Sequence, residues 1–165
     1  MYADSVISAA AFAPVLGLLV ERLELAPEIA AAKWLSGQPL TDAARERIVI
    51  DAAVAAAERA GADPDYVAAV FSDQIAAAKQ VQLATFDAWS SGAASPPVVA
   101  PDLATQIRPA LDRITGELVP ALAAVQAYRG HAACAAAVER GLGEAAPGAE
   151  ELSDALRVAV AHLCD

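Results

Sequence analysis

Apolar positions recur at helical spacing through most of the chain. Val15, Leu16, Leu19, Val20 and Leu23 advance in steps of three and four, the mark of one buried helix face. Pro14 suits the first turn of that helix, where a missing N–H costs nothing, and the pattern runs to about Leu35 before Ser36-Gly37-Gln38-Pro39 breaks it. Thr41 reads as the N-cap of a second helix, with Asp42 in its first turn, and that helix extends to about Ala60 with Gly61 just past its end. Asp63 and Pro64 open a third, whose stripe Val67, Val70, Phe71, Ile75 continues toward Trp89. Residues 91–101, rich in Ser, Gly, Ala and Pro, form a linker too irregular for a tight turn. Asp102 caps a fourth helix reaching about Tyr128, and Gly130 ends it. A short helix from about His131 to Arg140, a loop holding Gly141, Gly143, Pro147 and Gly148, and a last helix from about Glu150 to Leu163 complete the pattern. The layout predicts about six helices in a single domain over 1–165: three helices within 14–90, the linker 91–101, and three more within 102–165.

Composition supports the same class. Of the 165 residues, 57% are hydrophobic, and much of that is alanine, the best helix former and one that lets helices approach closely. The β-branched residues show no period-2 runs, so the expectation is an all-α fold of helices packed on helices.

The formal net charge of -10 weighs against nucleic acid as a partner. With only eleven Lys and Arg residues, an acidic protein that binds an anion must gather its bases locally. Cys134 and Cys164 form no Cys-x-x-Cys pair, and two histidines are too few for a zinc site; the cysteines are either a disulfide, which implies an oxidising compartment, or two buried thiols. The apolar stretch Val6–Val20 lacks a basic flank and is short for a membrane span. It is read as the start of a mature chain whose export signal has been removed, with no membrane contact.

Three groups of residues could carry chemistry. Arg22 and Lys33 are eleven residues apart, which at about 100° per residue puts both on one helix face. Neither has an acidic partner one turn away, which hints at an anionic ligand. Asp42, Arg45 and Glu46 share a face at i, i+3 and i+4, suiting an Arg that clamps a carboxylate, oriented by Asp42, with Glu46 taking a hydroxyl. On the third helix Gln74, Ala78 and Gln82 succeed one another by turns, and a Gln facing a core offers a hydrogen bond without changing protonation. Each group alone also suits an ordinary solvated helix face. His131 and His162 are read as structural or surface residues, and Trp34, Trp89, Phe71 and Tyr66 as scaffold.

Taken in order, Glu21-Arg22-Leu23, Ala32-Lys33-Trp34, Gln38-Pro39, Asp42-Ala43-Ala44-Arg45-Glu46, Asp63-Pro64-Asp65-Tyr66-Val67, Phe71-Ser72-Asp73-Gln74-Ile75, Gln82 and Trp89 resemble the AroQ-type chorismate mutases, and most closely their exported γ class. The likeness is specific over residues 21–89. From 102 to 165 it is looser, resting on Asp102-Leu103, on Arg108 with Asp112 four later, and on the cysteine pair.

The resemblance implies an all-α AroQ-type bundle that rearranges chorismate to prephenate without metal or cofactor, in the making of Phe and Tyr. Lys33, Gln82 and Arg45 would be catalytic. Arg22 would bind a carboxylate, Lys33 would bridge the ether oxygen and a carboxylate, and Gln82 would donate to the ether oxygen. Arg45 would be held by Asp42, Glu46 would accept the ring hydroxyl, and Arg108 would complete the carboxylate contacts. Cys134 and Cys164 would be the disulfide of that class. It further implies a secreted or periplasmic homodimer with a complete site in each chain. Ala78 departs from the family, which has Ser or Thr there. Lys79 stands where an acid can occur, and is read as a solvated helix face. Two other functions remain open: an isochorismate pyruvate-lyase on the same scaffold, and a non-catalytic secreted helical binding protein.

Overall fold

The computed structural model describes residues 7–165, so Val6 and the residues before it lie outside it. Among the described residues there are seven α-helices and no strand. α1 (Ala13–Glu24) and α2 (Ala26–Ser36) replace the single first helix that the pattern predicts. The cause is Pro27. It has no N–H to give the Leu23 carbonyl, and its ring crowds that carbonyl. Regular bonding resumes where Ile29 N–H donates to the Leu25 carbonyl (3.0 Å). The break frees the two segments to pack differently: α1 lies on α5 (Arg108–Val125) and α6 (Cys134–Ala145), whereas α2 lies on α4 (Pro64–Ser91).

α3 (Ala43–Ala60) is capped by Asp42 rather than by Thr41. The Asp42 Oδ1 accepts the Arg45 N–H at 3.0 Å, because a carboxylate three residues before an orphan N–H also complements the helix dipole. Asp63 caps α4 as expected, accepting from the N–H groups of Asp65 (2.9 Å) and Tyr66 (3.4 Å). Asp102 likewise accepts from Thr105 (2.8 Å), but a single wide π-type turn, Leu103–Ile107, comes before α5 begins. The predicted glycine loop starts later than expected, since Gly141 and Gly143 lie inside α6. A Cβ at Gly141 would fall 2.5 Å from Leu16 Cδ1, so α6 lies close on α1 here and a side chain would require Leu16 to shift. The last helix, α7 (Ser153–Ala159), is shorter than its pattern, with tight turns at both ends.

One core runs through the described chain. It is built from Leu16, Leu19 and Leu23 of α1, Val67, Val70 and Phe71 of α4, Leu118 and Leu122 of α5, and Leu156 of α7. α4 carries the rest of the fold. Its 28 residues contact α1, α2, α3 and α7. Its N-terminal half is fastened to the C-terminal segment: Tyr66 OH donates to the Leu163 carbonyl and Gln74 Nε2 to the Ala159 carbonyl, each at 2.8 Å. Burial pushes the Tyr66 hydroxyl up to about 12, so it stays a donor at all working pH values. The Arg129 guanidinium lies 4.3 Å over the Tyr66 ring and pairs with Asp63 at 2.8 Å. Cys134 and Cys164 are joined in a disulfide that fixes the chain end to the start of α6. No helix of the described residues is long and apolar enough to cross a membrane.

Candidate active site

The C-terminal half of α4, facing α2, α3 and the start of α5, closes a cavity of about 150 Å³. Five of the chain's eleven basic residues line it: Arg22, Lys33, Arg45, Lys79 and Arg108. Asp42, Glu46 and Asp112 are the acids on its wall, so the locality is net basic in a chain of net charge -10. Ile29, Val49, Ile75 and Ile107 supply apolar surface between them. All eight predicted substrate-binding positions (Arg22, Lys33, Asp42, Arg45, Glu46, Ala78, Gln82 and Arg108) meet here.

Arg22 sits in the last turn of α1, where the helix dipole favours a cation, and is buried. Its Nη1 donates to the Gln74 carbonyl at 3.3 Å, but its Nε is buried without a partner. Burial lowers its pKa to about 10, which leaves it charged at neutral pH. A buried, charged donor with nothing to donate to is costly unless a ligand fills the place.

Lys33 Nζ donates to the Leu40 carbonyl (2.8 Å) and to Gln82 Oε1 (3.1 Å). Since an ammonium can only donate, this contact fixes the Gln82 amide with its oxygen toward Lys33. Gln82 Nε2 is left as a free donor on a buried side chain, and Lys33 keeps a third N–H. Burial is the main influence on Lys33 and pulls its pKa down, with Lys79 acting the same way and Asp42 and Glu46 opposing.

Two expectations change in detail. Asp42 does not hold Arg45 by its side chain; it accepts the Arg45 backbone N–H as a helix cap, because residue 42 sits one step before the helix. Lys79 is not on a solvated face. It is half-buried on the cavity wall, with its Nζ 2.7 Å from Glu46 Oε1 across the α3–α4 contact, an ion pair without the angles of a hydrogen bond. Its spacing was the available signal, one turn from both Ile75 and Gln82.

Ala78 is buried at the wall and offers no hydroxyl. Arg108 stands at the first position of α5, directly after the π-type turn, whose closing bond runs from Arg108 N–H to the Leu103 carbonyl. One extra residue in a turn rotates the rest of the helix by about 100°, and that rotation sets which face Arg108 takes. His131 and His162 lie elsewhere: His131 Nδ1 accepts the Ala133 N–H, and His162 Nδ1 is 2.7 Å from Asp73. Among the described residues no group of three or more His, Cys, Asp or Glu is placed to hold a metal.

Comparison with known proteins agrees with this picture. Residues 13–83 match the family model for chorismate mutase type II. Over 120 residues the chain is 32% identical to the secreted chorismate mutase of Mycobacterium tuberculosis, an alignment covering 73% of this chain and 60% of that protein. The chain thus spans about three-fifths of that relative's length. The crystal structure of chorismate mutase from Burkholderia phymatum superposes with a TM-score of 0.88 at 34% identity, covering 95% of this chain and 98% of that one. The chorismate mutase from Burkholderia thailandensis gives 0.87 at 36% identity, covering 93% and 99%. Fold and cavity define the class, an all-α bundle of the AroQ type with a cavity lined by five basic residues. Within it, the chain belongs to the chorismate mutase family.

Proposed function

We propose that the chain is a chorismate mutase, rearranging chorismate to prephenate with no cofactor. The observation that carries this reading is the Lys33–Gln82 contact, which leaves one N–H of Lys33 and the Gln82 amide nitrogen unused in a cavity lined by five bases. The rearrangement is intramolecular: one C–O bond breaks, one C–C bond forms, and no proton moves. It needs no nucleophile and no general base. What helps is to hold a dicarboxylate in its folded shape and to stabilise charge on the ether oxygen as the C–O bond lengthens.

Arg22, Arg45 and Arg108 clamp the carboxylates, which the planar guanidinium fork suits. Glu46 takes the ring hydroxyl. Lys33 Nζ and Gln82 Nε2 donate to the ether oxygen. One such pre-organised donor is worth about 3 kcal/mol, so the two supply much of the ~8 kcal/mol behind a millionfold acceleration. Gln82 is neutral throughout, so it imposes no pH limit of its own. Lys33 does: its lowered pKa places the alkaline loss of activity earlier than for an ordinary lysine.

We also read the protein as exported and dimeric. The Cys134–Cys164 disulfide suits an oxidising compartment, and the Mycobacterium tuberculosis relative is named as secreted. Trp34 packs edge to face on Phe86 (5.1 Å) and Trp89 (5.4 Å), Phe86 and Trp89 lie tilted at 5.9 Å, and Leu35 and Leu83, within three residues of them in sequence, are half-exposed, an apolar surface suited to a second copy. The eight substrate-binding positions predicted from the sequence lie on one chain, which supports a site complete in each protomer.

The test is loss of chorismate absorbance in buffer containing EDTA, for wild type beside Lys33→Ala. Turnover abolished by the substitution supports both the activity and its place. Turnover that survives in the variant removes the site assignment. No turnover by the wild type removes the activity, and pyruvate release from isochorismate then becomes the next measurement.

A further inference from the structure

The ion pair between Lys79 and Glu46 bears on the chemistry of the cavity. Glu46 enters from α3 and Lys79 from α4, and both line the same wall as Lys33 and Gln82. Their atoms meet at 2.7 Å, with the two side chains 36% (Lys79) and 23% (Glu46) exposed. The pairing is asymmetric. Glu46 Oε1 is buried against the Lys79 ammonium, while Oε2 has no partner among the described residues and is not sealed off. Free in a cavity, a Glu side chain samples several rotamers, and its carboxylate can turn toward either of the two neighbouring ammonium groups, Lys33 or Lys79. Both lysines are cations close enough to influence one another, since Lys79 acts to lower the pKa of Lys33. If Glu46 swung onto Lys33, it would occupy the N–H that Lys33 keeps for the ligand.

We propose that Lys79 is a positioning residue: it holds Glu46 by Oε1, presenting Oε2 to the substrate hydroxyl and keeping the carboxylate off Lys33. The inference rests on the reading of the cavity as a chorismate site, and it assigns Lys79 no contact with the reacting atoms. It also gives the position a specificity role. A substrate with its hydroxyl opposite Oε2 gains a charge-assisted hydrogen bond, and one lacking that hydroxyl leaves Oε2 unpaired.

The experiment is a double-mutant cycle of Lys79→Met and Glu46→Gln on chorismate turnover, with Lys79→Arg as the conservative variant and melting curves to show that each protein is folded. Each single substitution is expected to lower kcat/KM about tenfold or more, the size of one charge-assisted hydrogen bond. The double variant should lose no more than the worse single one, because both remove the same contact. Lys79→Arg should recover most of the activity. Multiplicative losses, or a Lys79→Met variant as active as wild type, overturn the positioning role while the mutase reading stands. A wild type that leaves chorismate unchanged overturns both. A variant that fails to fold is replaced by Lys79→Gln in the same cycle.

Discussion

The two halves of α4 use polar side chains in opposite ways. In the first half, Tyr66, Asp73 and Gln74 are tied to the C-terminal segment through Leu163, His162 and Ala159. Gln74 Oε1 alone is left buried without a partner there. In the second half, Gln82 and Lys79 face a cavity, where Arg22 Nε and Glu46 Oε1 are buried without a hydrogen bond and Gln82 Nε2 has no partner among the described residues. Both halves are buried or half-buried, and both lie on one continuous helix. Burial of polar groups therefore does not by itself mark a site in this molecule. What separates the two halves is the degree of completion: apart from Gln74 Oε1, one network closes within the chain and holds the fold, whereas the other, on the proposed function, closes only with a ligand. An unsatisfied buried group costs about 1–3 kcal/mol, so on the proposed function the open network would lower the stability of the empty protein in exchange for affinity.

The sharpest way to break this contrast is to cross the two properties. Lys33→Ala is expected to lower kcat by about 10²–10³, the effect of removing one pre-organised donor to a developing oxyanion. Its melting temperature should stay close to that of wild type, because the lysine is only half-buried. Losing the Cys134–Cys164 disulfide should do the reverse. Replacing both cysteines by Ser is expected to cost about 2–4 kcal/mol, read as a lowered denaturant midpoint, with kcat/KM unchanged at 25 °C. If the disulfide variant remains folded but loses turnover, the halves are coupled and the contrast fails.

Tyr66→Phe sharpens the same point on α4 itself. It deletes one hydroxyl and leaves the buried Leu163 carbonyl without its donor. The cost should be about 1–3 kcal/mol, and at about 2–4 °C per kcal/mol for a domain of this size it is readable in a melting curve. Activity at low temperature should be untouched, though the residue sits on the same helix as Gln82.

These assignments were legible in the sequence to different degrees, for physical reasons. Helix starts at Asp63 and Asp102 show because a cap is a local event between a side chain and N–H groups two or three residues on. The stripe Val15 to Leu23 shows because burial repeats with the helix period. The break at Leu25 was masked by alanines, which continue a helical pattern through Pro27 without interruption. The site itself has no local signature. Arg22, Lys33, Glu46 and Gln82 are ordinary helix-face residues until four helices bring them together; spacing paired Arg22 with Lys33 as if on one helix, whereas the break at Pro27 puts them on α1 and α2, and only likeness to a family grouped all four. That likeness gave no pairing for Lys79, because its partner lies on another helix, 33 positions earlier. The role of Arg108 depends on a π-type turn that no residue pattern announces.

The smallest effect concerns pH and distinguishes the closed network from the open one. His162 Nδ1 lies 2.7 Å from Asp73, and the hydrogen bond and charge of Asp73, helped by Asp165, raise the histidine pKa above its ordinary value of about 6.5. A raised folded-state pKa means that the folded chain holds its proton more tightly than the unfolded one. The stabilisation is therefore complete below the ordinary histidine pKa and is lost as pH rises through the higher folded value. The pair is about half-exposed on the histidine side, so the gain is modest. Comparing wild type with His162→Gln, the wild-type advantage in melting temperature should be present at pH 5.5 and gone by pH 8.5. The ratio of their kcat/KM values should stay flat over the same range, because Asp73 closes its bonds within the fold and not in the cavity. A stability advantage that grew with pH would mean that the His162–Asp73 contact is not an ion pair. A kcat/KM ratio that followed the titration would mean that the closed network reaches the site through α4.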